Sequence, residues 1–244
     1  MMVRSILVFL IVLFATAAKS DDAFTPAQEK RIGELIRSYL LKNPEVMSEV
    51  AAELEKRRAV AERTAREVAI KENKFALQQA KGDPVGGNPD GTVTVVEFFD
   101  YNCPYCRKAK PVVEELLRND KRIRYVFKEF PILSEASRTA AKVALAVWKL
   151  APDKYGALHK DLMKTNGRVT DARVREAIQA IGLSWDEVSS ALKSKDIDAK
   201  ITNNIALAQA LNINGTPTFV IGNQVFPGLV SLTTLKDAVE EVAK

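Results

Sequence analysis

The sequence predicts an α/β fold that is preceded by a separate, wholly helical segment. Residues 45–81 contain no glycine or proline, so a long helix is expected there. Residues 82–91 are dense in both amino acids, and residues 92–244 then alternate β-branched runs with helical runs. That alternation is typical of an α/β domain, and a chain of 244 residues is long enough for one such domain and an appendage.

The first residues have the organisation of a secretory signal peptide. Arg4 is a short basic region, residues 6–14 are an almost unbroken apolar run, and small residues follow at positions 15–18. The apolar run is shorter than the ~20 residues that span a bilayer as a helix. We therefore predict a cleaved signal peptide over residues 1–18, with a retained membrane anchor as the alternative.

Residues 25–81 are predicted to be an N-terminal helical oligomerisation segment. Thr25 and Pro26 provide a helix cap and a first helical residue, and Asn43-Pro44 ends this helix and begins the next. The second helix is rich in alanine, glutamate, lysine and arginine, and its apolar positions are sparse but periodic.

A short apolar seam at Met47, Val50 and Leu54 predicts self-association through residues 25–60. The corresponding positions farther along the helix are mostly polar, which predicts a connector that crosses solvent up to Lys81. The alternative is a single amphipathic helix that lies on the α/β domain.

Residues 82–91 are predicted to be the linker between the two parts of the chain. The stretch reads GDPVGGNPDG, and glycine and proline break helices and mark loops. The α/β domain is therefore expected to occupy residues 92–244 and to move relative to the helical segment.

Residues 92–244 contain the elements of an α/β domain in a definite order. Residues 92–99 and 123–130 are predicted strands, and the helix between them starts at Cys103 and contains Pro111, which predicts a kink. Several helices follow, and then a strand pair with the turn Gly222-Asn223 and a final helix. Their approximate bounds are 134–211 for the helices, 218–221 and 224–226 for the strands, and 232 onwards for the final helix. This order describes a thioredoxin fold with a helical insertion at about residues 134–211.

Cys103 and Cys106 are the two cysteines of the chain, and they lie at the predicted strand-to-helix junction. Such a C-x-x-C pair indicates a redox centre that carries out thiol–disulfide exchange. A structural zinc site usually has four cysteine or histidine ligands, but the chain has a single histidine, His159, far along the sequence. A pair of buried, inert cysteines is the other alternative. The pattern predicts a catalytic pair that uses no metal and no cofactor.

The position of each thiol predicts its role. Cys103 precedes the helix, where free backbone N–H groups and the helix dipole favour a thiolate, so it is predicted to be the nucleophile. Cys106 lies one turn inside the helix and is predicted to be the buried resolving thiol. Between them, Pro104 has no N–H to donate and Tyr105 carries no positive charge.

The export signal and the lack of cysteines for structural disulfides favour a periplasmic oxidoreductase. The formal net charge of +5 is mildly basic, and both signs are mixed along the helices, so nucleic-acid binding is not indicated. His159 is expected on the surface of a helix, and Trp148 and Trp185 are expected in the core or between helices.

Three stretches of the catalytic part carry a resemblance to a known family. They are VVEFFDYNCPYC at residues 95–106, FPIL at residues 130–133 and GTPTF at residues 215–219. With them, the whole of residues 92–244 resembles the DsbA family of periplasmic thiol–disulfide oxidoreductases. The stretch YLLKNPEV at residues 39–46 is similar to the N-terminal segment of the subgroup that includes the suppressor of copper sensitivity protein C (ScsC). The resemblance implies that the segment can form trimers and that the protein can act as a disulfide isomerase, as some members of that subgroup do.

The resemblance also implies further site residues. A cis peptide bond would join Thr216 to Pro217, which would pack against the cysteine pair and present the Thr216 backbone to an extended substrate. Glu97 would relay protons to Cys106, and burial without a partner would raise the pKa of its carboxyl group. The residues alone leave open a pairing of Glu97 with Lys128.

Three functions are compatible with these expectations. The preferred one is a periplasmic disulfide isomerase or reductase that acts on exported proteins with cysteines. It would be a homo-oligomer, with a trimer favoured, and a membrane redox partner would keep it reduced. A monomeric DsbA-like dithiol oxidase and a copper-binding thiol protein are the alternatives. The best-known family member has histidine where Tyr105 stands, which leaves the redox poise open.

Overall fold

The computed structural model describes residues 24–244, so the predicted signal peptide at residues 1–18 lies outside the described part of the chain. The described residues divide into two units, residues 24–58 and residues 59–244, and the boundary between them lies within one long helix, α2 (Glu45–Glu72). The helices are α1 (Pro26–Lys42), α2 (Glu45–Glu72), α3 (Lys74–Gln78), α4 (Pro104–Asn119), α5 (Glu135–Leu150), α6 (Pro152–Met163), α7 (Asp171–Ala180), α8 (Trp185–Leu192), α9 (Lys195–Ala210) and α10 (Leu232–Ala243). The strands are β1 (Val85–Gly87), β2 (Val93–Phe99), β3 (Ile123–Glu129), β4 (Thr218–Ile221) and β5 (Gln224–Pro227).

Among residues 24–244, no helix is both long enough and apolar enough to cross a membrane.

The described part of the first unit contains α1 and the beginning of α2. Thr25 caps α1, because its side chain accepts the Gln28 N–H while the Gln28 side chain accepts the Thr25 N–H. The helix ends at Asn43, whose N–H donates to the Tyr39 carbonyl oxygen, so the predicted break at Asn43-Pro44 is confirmed. No side chain of α1 is buried. The large apolar side chains that are exposed in this unit include Leu35, Ile36, Tyr39, Leu41, Met47, Val50 and Leu54.

The helical stretch of the second unit ends inside a core. Although residues 45–81 contain no glycine or proline, α2 is followed by a break and by the short helix α3. Ile70 of α2 and Leu77 of α3 are buried, and they belong to the same apolar cluster as Phe98 of β2. The prediction of a polar connector that crosses solvent up to Lys81 is therefore wrong, because these two apolar residues pack against the sheet.

Residues 82–91 contain a strand of the sheet, β1, so the prediction of a linker there is wrong. β1 lies in this stretch and pairs antiparallel with β3, and the Phe127 N–H donates to the Pro84 carbonyl oxygen at 2.9 Å. Gly87 has a φ of +67°, and a Cβ atom there would lie 2.6 Å from the Ile123 carbonyl oxygen. Glycine is needed at this position for close backbone packing, and the domain boundary that its composition predicted does not exist there.

The five-stranded sheet has the order β1-β3-β2-β4-β5. β2 and β3 are parallel, and the other neighbouring pairs are antiparallel. Side chains alternate between the two faces along β2. Val93 and Val95 belong to a buried cluster with α4 and α10, whereas Val96 and Phe98 belong to a cluster with the end of α2 and with α3. Helices therefore cover both faces, which is usual where parallel strands form the centre of a sheet.

Helices α5–α9 form the insertion between β3 and β4, close to the predicted bounds of 134–211. Their apolar faces form one buried cluster that also contains Phe99, Cys103 and Cys106. The chain returns through the β4–β5 hairpin, whose predicted turn holds Gly222 with a φ of +60°. The predicted thioredoxin fold with a helical insertion is thus confirmed, and the insertion packs against the cysteine pair.

Candidate active site

The cysteine pair lies where β2 passes into α4. Cys103 is the N-cap residue of α4, Pro104 is the first helical residue, and Cys106 lies in the first turn. Both cysteines are free thiols, and 4% of Cys103 and 1% of Cys106 is exposed. The Cys106 N–H donates to Cys103 Sγ at 3.4 Å. The start of the helix therefore directs a backbone donor at the first sulfur and buries the second more deeply.

Two polar residues just before the pair, Asp100 and Asn102, hold the junction between β2 and α4. The sequence analysis missed both. Asp100 is buried, and its two carboxylate oxygens accept the N–H groups of Asn102 at 2.7 Å and Leu133 at 3.0 Å. The Cys103 N–H donates to the Asp100 carbonyl oxygen at 3.0 Å. Asp and Asn side chains commonly make such local bonds to the backbone at turns. Their position directly after a buried strand was therefore the sequence signal by which both residues could have been found.

The turn before β4 forms the second side of the site. The Thr216-Pro217 peptide bond is cis, as the resemblance implied. Cys103 Sγ lies 3.1 Å from the Thr216 carbonyl oxygen, to which the protonated thiol donates, although the two residues are 113 positions apart in the chain. The Gly228 N–H donates to the Pro217 carbonyl oxygen at 2.7 Å. This bond ties the turn to the end of β5 and fixes one wall beside the reactive sulfur.

Hydrogen bonds lower the pKa of the Cys103 thiol from 9.0 to about 6. The largest cause is the bond with the Cys106 thiol, which burial of Cys103 opposes. The Thr216 side chain and the backbone N–H groups of Cys106 and Tyr105 lower this pKa further. The first turn of α4 contains no acidic residue. No carboxylate there repels the Cys103 thiolate, which the helix dipole favours. In the reduced protein, Cys103 is therefore mainly a thiolate at neutral pH.

The second thiol and a neighbouring carboxyl group have the opposite electrostatics. Burial raises the pKa of the Cys106 thiol far above its ordinary value, and the bond to Cys103 and the charge of Glu97 add to this effect. Burial also raises the pKa of the Glu97 carboxyl group to about 7, and the hydrogen bond from Tyr125 only partly opposes it. A carboxyl group with this pKa can both accept and donate a proton near neutral pH.

The alternative pairing of Glu97 with Lys128 is wrong. The Tyr125 hydroxyl donates to Glu97 Oε2 at 2.5 Å, and the Lys128 ammonium instead pairs with the buried carboxylate of Asp83. Lys128 lies opposite Phe98 in the β2–β3 register. Side chains at paired positions share one face of the sheet and successive ones alternate, so Lys128 and Glu97 lie on opposite faces.

A cavity of about 150 Å³ lies between α4 and α6, and Glu97 and Cys106 both line it. Other lining residues are Val113, Phe127, Met163, His159, Lys110 and Lys160. A single water needs roughly 10–15 Å³ in such a cavity, so water fits next to both groups.

His159 is only 8% exposed, so the prediction of a surface histidine is wrong. Burial lowers its pKa to about 3, which keeps the imidazole neutral. His159 Nδ1 lies 3.3 Å from the Tyr101 hydroxyl, which donates to Glu129 Oε1 at 3.2 Å, and the Tyr155 hydroxyl donates to the same oxygen at 3.1 Å. The surface position was predicted because the charged residues Lys160 and Asp161 follow His159 in sequence. The packing of α6 instead turns the imidazole inward.

The predicted site residues thus come together in one place, and their roles stay a prediction. Pro104 and Tyr105 are exposed at the start of α4, where they can contact a substrate. Trp148 and Trp185 pack against the buried cluster of the insertion, as expected. Among residues 24–244, no three side chains of histidine, cysteine, aspartate or glutamate form a group that could hold a metal ion.

Comparison with protein families matches two parts of the chain. Residues 94–240 match the DSBA-like thioredoxin domain. Residues 28–61 match the N-terminal domain of the copper resistance protein ScsC. The two matches cover the two parts of the sequence in which a resemblance was found.

Solved structures with the same fold include two that cover most of this chain. A thioredoxin-like oxidoreductase from Silicibacter pomeroyi is 41% identical, with a TM-score of 0.68 over 70% of this chain and 98% of that one. A linker-deletion mutant of ScsC from Proteus mirabilis is 30% identical, with a TM-score of 0.68 over 92% of this chain and 99% of that one. The likeness to ScsC therefore extends through the N-terminal helices.

Two kinds of curated protein are also similar. Disulfide bond formation protein D of Bacillus subtilis is 25% identical over 174 residues, which are 67% of this chain and 78% of that protein. The Na⁺/H⁺ antiporter NhaA 1 of Salinispora arenicola is 30% identical over 159 residues, which are 64% of this chain. The chain spans only 24% of the length of that antiporter.

Proposed function

The chain belongs to the family of DSBA-like thioredoxin domains, and from that premise we propose that it is a disulfide isomerase or reductase of exported proteins. It is a DsbA-like thiol–disulfide oxidoreductase, and the direction of its reaction belongs to the proposal. The observation that carries the proposal is the asymmetry of the pair. Cys103 is held as a thiolate, with a pKa of about 6, beside a buried Cys106 thiol whose pKa is raised.

The proposed reaction starts with attack of the Cys103 thiolate on one sulfur of a substrate disulfide. A Cys103–substrate disulfide forms, and the other substrate sulfur leaves as a thiolate that takes a proton from solvent. For isomerisation, a second substrate thiolate attacks the mixed disulfide and releases the Cys103 thiolate unchanged. For reduction, Glu97 accepts the Cys106 proton, and Cys106 attacks Cys103 and releases the remaining substrate sulfur as a thiolate.

The residues around the pair support this sequence of steps. The exposed Pro104 and Tyr105 offer an apolar contact to the substrate, and the turn at Thr216 and Pro217 lies directly against the reactive sulfur. We assign the Thr216 backbone to the binding of an extended substrate segment. Stabilisation of the thiolate also makes Cys103 a good leaving group, since a thiol of lower pKa leaves faster.

The N-terminal segment is proposed to assemble the protein as a homo-oligomer, with a trimer favoured. Met47, Val50 and Leu54 are between 48% and 57% exposed, and residues 28–61 match the ScsC N-terminal domain. Several reactive thiolates around one misfolded chain would favour reshuffling of its disulfides over one-way oxidation. The monomeric oxidase stays the alternative within the same family.

We place this activity in the periplasm, where the predicted signal peptide would direct the chain. A Salmonella enterica structure that is 31% identical to this chain is described as a periplasmic thioredoxin-like protein. An isomerase needs Cys103 in the reduced state in that oxidising compartment. The proposal therefore includes a membrane redox partner that supplies electrons to the pair.

The main experiment compares residues 19–244 with residues 59–244, because all three buried clusters lie in the second unit. Both proteins should reduce a small disulfide, but only the longer one should restore activity to a scrambled, disulfide-bonded enzyme. Light scattering should show an oligomer for the longer protein and a monomer for the shorter one. A monomeric longer protein would overturn the oligomer and favour the oxidase.

A matched pair of point variants tests the same idea in the whole chain. Val50→Lys lies in the predicted seam and Val68→Lys lies on the same helix outside residues 25–60, and the two valines are 48% and 50% exposed. Val50→Lys should lower the mass and the isomerase activity, whereas Val68→Lys should change neither. Equal effects of the two variants would contradict a specific seam.

Copper binding remains a candidate of another class, because residues 28–61 match a domain of a copper resistance protein. Two neighbouring thiolates suit Cu(I), but the raised pKa of Cys106 opposes formation of the second thiolate. Titration of the reduced protein with Cu(I) distinguishes the two functions. Tight stoichiometric binding without disulfide exchange would favour the copper protein.

A further inference from the structure

Arg107, which directly follows the resolving cysteine, joins two separate parts of the second unit. Its Nε and Nη2 atoms donate to the Tyr101 carbonyl oxygen at 3.2 and 2.8 Å, and Nη1 donates to the Gly167 carbonyl oxygen at 2.6 Å. Tyr101 begins the turn that leads to Cys103, whereas Gly167 lies in the loop between α6 and α7. One guanidinium group therefore fastens the helical insertion to the active-site turn.

Neither helix stability nor ion pairing explains this arginine. A cation near the start of a helix is disfavoured by the helix dipole, yet Arg107 lies four residues after the N-cap residue Cys103. Among the described residues, Arg107 forms no ion pair with a carboxylate. Its planar fork of donors instead spans two carbonyl oxygens, a geometry that a lysine does not reproduce.

A second contact holds the same loop from the other side of the cysteine. Asn102 Oδ1 accepts the Val169 N–H at 2.7 Å, and Asn102 Nδ2 donates to Ser137 Oγ at 3.2 Å. Val169 is fully buried, so this end of the loop is anchored in the core. Residues 167–169 are thus fixed by two side chains that flank Cys103 in sequence.

We propose that Arg107 is a positioning residue, which holds the 101–103 turn against the 165–169 loop and so keeps Cys103 Sγ at its hydrogen-bond donors. The proposal rests on the thiol–disulfide activity proposed above and adds a residue to it. Cys103 is bonded at both ends of its backbone, through its N–H to Asp100 and through its carbonyl oxygen to the Arg107 N–H at 3.2 Å. Loss of the guanidinium would loosen this turn and move the sulfur away from the Cys106 N–H and Thr216.

The test measures the pH dependence of alkylation of Cys103 by iodoacetamide in the whole mature chain. In Arg107→Gln we expect the midpoint of the profile to rise by about one pH unit, so that roughly tenfold less thiolate is present below the midpoint. Arg107→Lys should give an intermediate midpoint, because lysine keeps the charge but not the fork. The rate of reduction of a small disulfide should fall in the same order.

Arg173→Gln is the matched control. Arg173 lies in α7, and its guanidinium bonds to the carbonyl oxygen and carboxylate of Asp161, so it joins α6 to α7 on the far side of the same loop without contacting the 101–103 turn. A purely structural role for the loop predicts equal effects of Arg107→Gln and Arg173→Gln. The proposal predicts a wild-type midpoint for Arg173→Gln.

Three results would overturn the proposal: a wild-type midpoint in Arg107→Gln, full restoration by Arg107→Lys, or the same shift in Arg173→Gln. If Arg107→Gln does not fold, Arg107→Lys decides, and a wild-type midpoint there also overturns the proposal. Alkylation needs no substrate protein and no redox partner. Failure of this proposal can therefore be distinguished from failure of the proposed function, which would appear as inactivity of the wild-type protein towards disulfides.

Discussion

Residues 24–58 and residues 59–244 use the same helix-forming side chains in opposite ways. In the first region α1 has no buried residue, and leucines, isoleucine, tyrosine, methionine and valine on α1 and the first half of α2 are about half exposed or more. In the second region, three buried clusters cover the sheet and fill the helical insertion. Helices of this kind owe most of their stability to packing, and the exposed apolar side chains of the first region are the ones on which the proposed self-association depends.

The residues of the candidate active site all lie in the second of these regions. Both thiols, the Thr216-Pro217 turn and the buried Glu97 lie within residues 59–244, whereas no side chain of α1 is buried. Reactivity depends on burial and preorganised donors, which the second region supplies. The proposed self-association of the first region would therefore change how many active sites meet a substrate and would leave the chemistry of each site unaltered.

The largest effect is expected from the cysteines themselves. Cys103→Ala should lower disulfide reduction to the uncatalysed background, because the attacking thiolate is lost. Cys106→Ala should accumulate mixed disulfides with substrates, visible on non-reducing gels, because the resolving thiol is absent. Trapping by Cys103→Ala instead would reverse the two roles, and trapping that requires residues 24–58 would break the separation between the regions.

The next largest effect concerns the buried ion pair of the second region. The side chains of Asp83 and Lys128 are 3% and 1% exposed. Because Asp83→Ala leaves an uncompensated buried charge, it should lower the free energy of unfolding by about 3–5 kcal/mol. Asp196→Ala removes a partner of Lys149 on the surface and should lower the free energy of unfolding far less, because an exposed ion pair contributes little. Urea unfolding measures both, and equal costs would mean that residues 82–91 behave as a free linker.

A smaller effect, with a defined pH dependence, is expected at Glu97. Since its folded pKa of about 7 lies above the ordinary 4.5, the folded protein holds a proton that the unfolded chain loses between these values. The free energy of unfolding therefore falls as pH rises from 4.5 to 7, by up to about 3 kcal/mol at pH 8. Glu97→Gln should stabilise the reduced protein at pH 8 and have little effect at pH 4. Equal stabilisation at both pH values would show that Glu97 is ionised throughout.

The smallest effect on chain stability is expected in the first region. Leu54 is 50% exposed and Leu77 is 1% exposed. Leu77→Ala should cost roughly 2–5 kcal/mol, whereas Leu54→Ala should cost under about 0.5 kcal/mol in dilute, monomeric protein. At higher concentration Leu54→Ala should lower the mass measured by light scattering. An unchanged mass, with a large loss of stability in the monomer, would remove the distinction between the two regions.

Local patterns predicted much of the fold and several features of the site. The helix break at Asn43-Pro44, the helical insertion, the Gly222-Asn223 turn and the helix start at Cys103 were all predicted within a few residues of their observed places. Each depends on side chains that are neighbours in sequence. The cis bond at Pro217 was found through a resemblance, since a proline by itself does not reveal its isomer.

By itself, the sequence determined the redox pair, its place at the start of a helix and the order of the elements, because spacing, caps and turn residues act over a few positions. Only the tertiary structure decided that β1 joins the sheet, that Asp83 pairs with Lys128, that Lys128 faces away from Glu97, that His159 is buried and that Arg107 reaches Gly167. These facts depend on strand register and on contacts between residues 45 to 60 positions apart, such as Lys128 with Asp83 and Arg107 with Gly167. Composition cannot specify such contacts, since a glycine-rich stretch or a charged helix has the same local pattern whether it packs or stays in solvent.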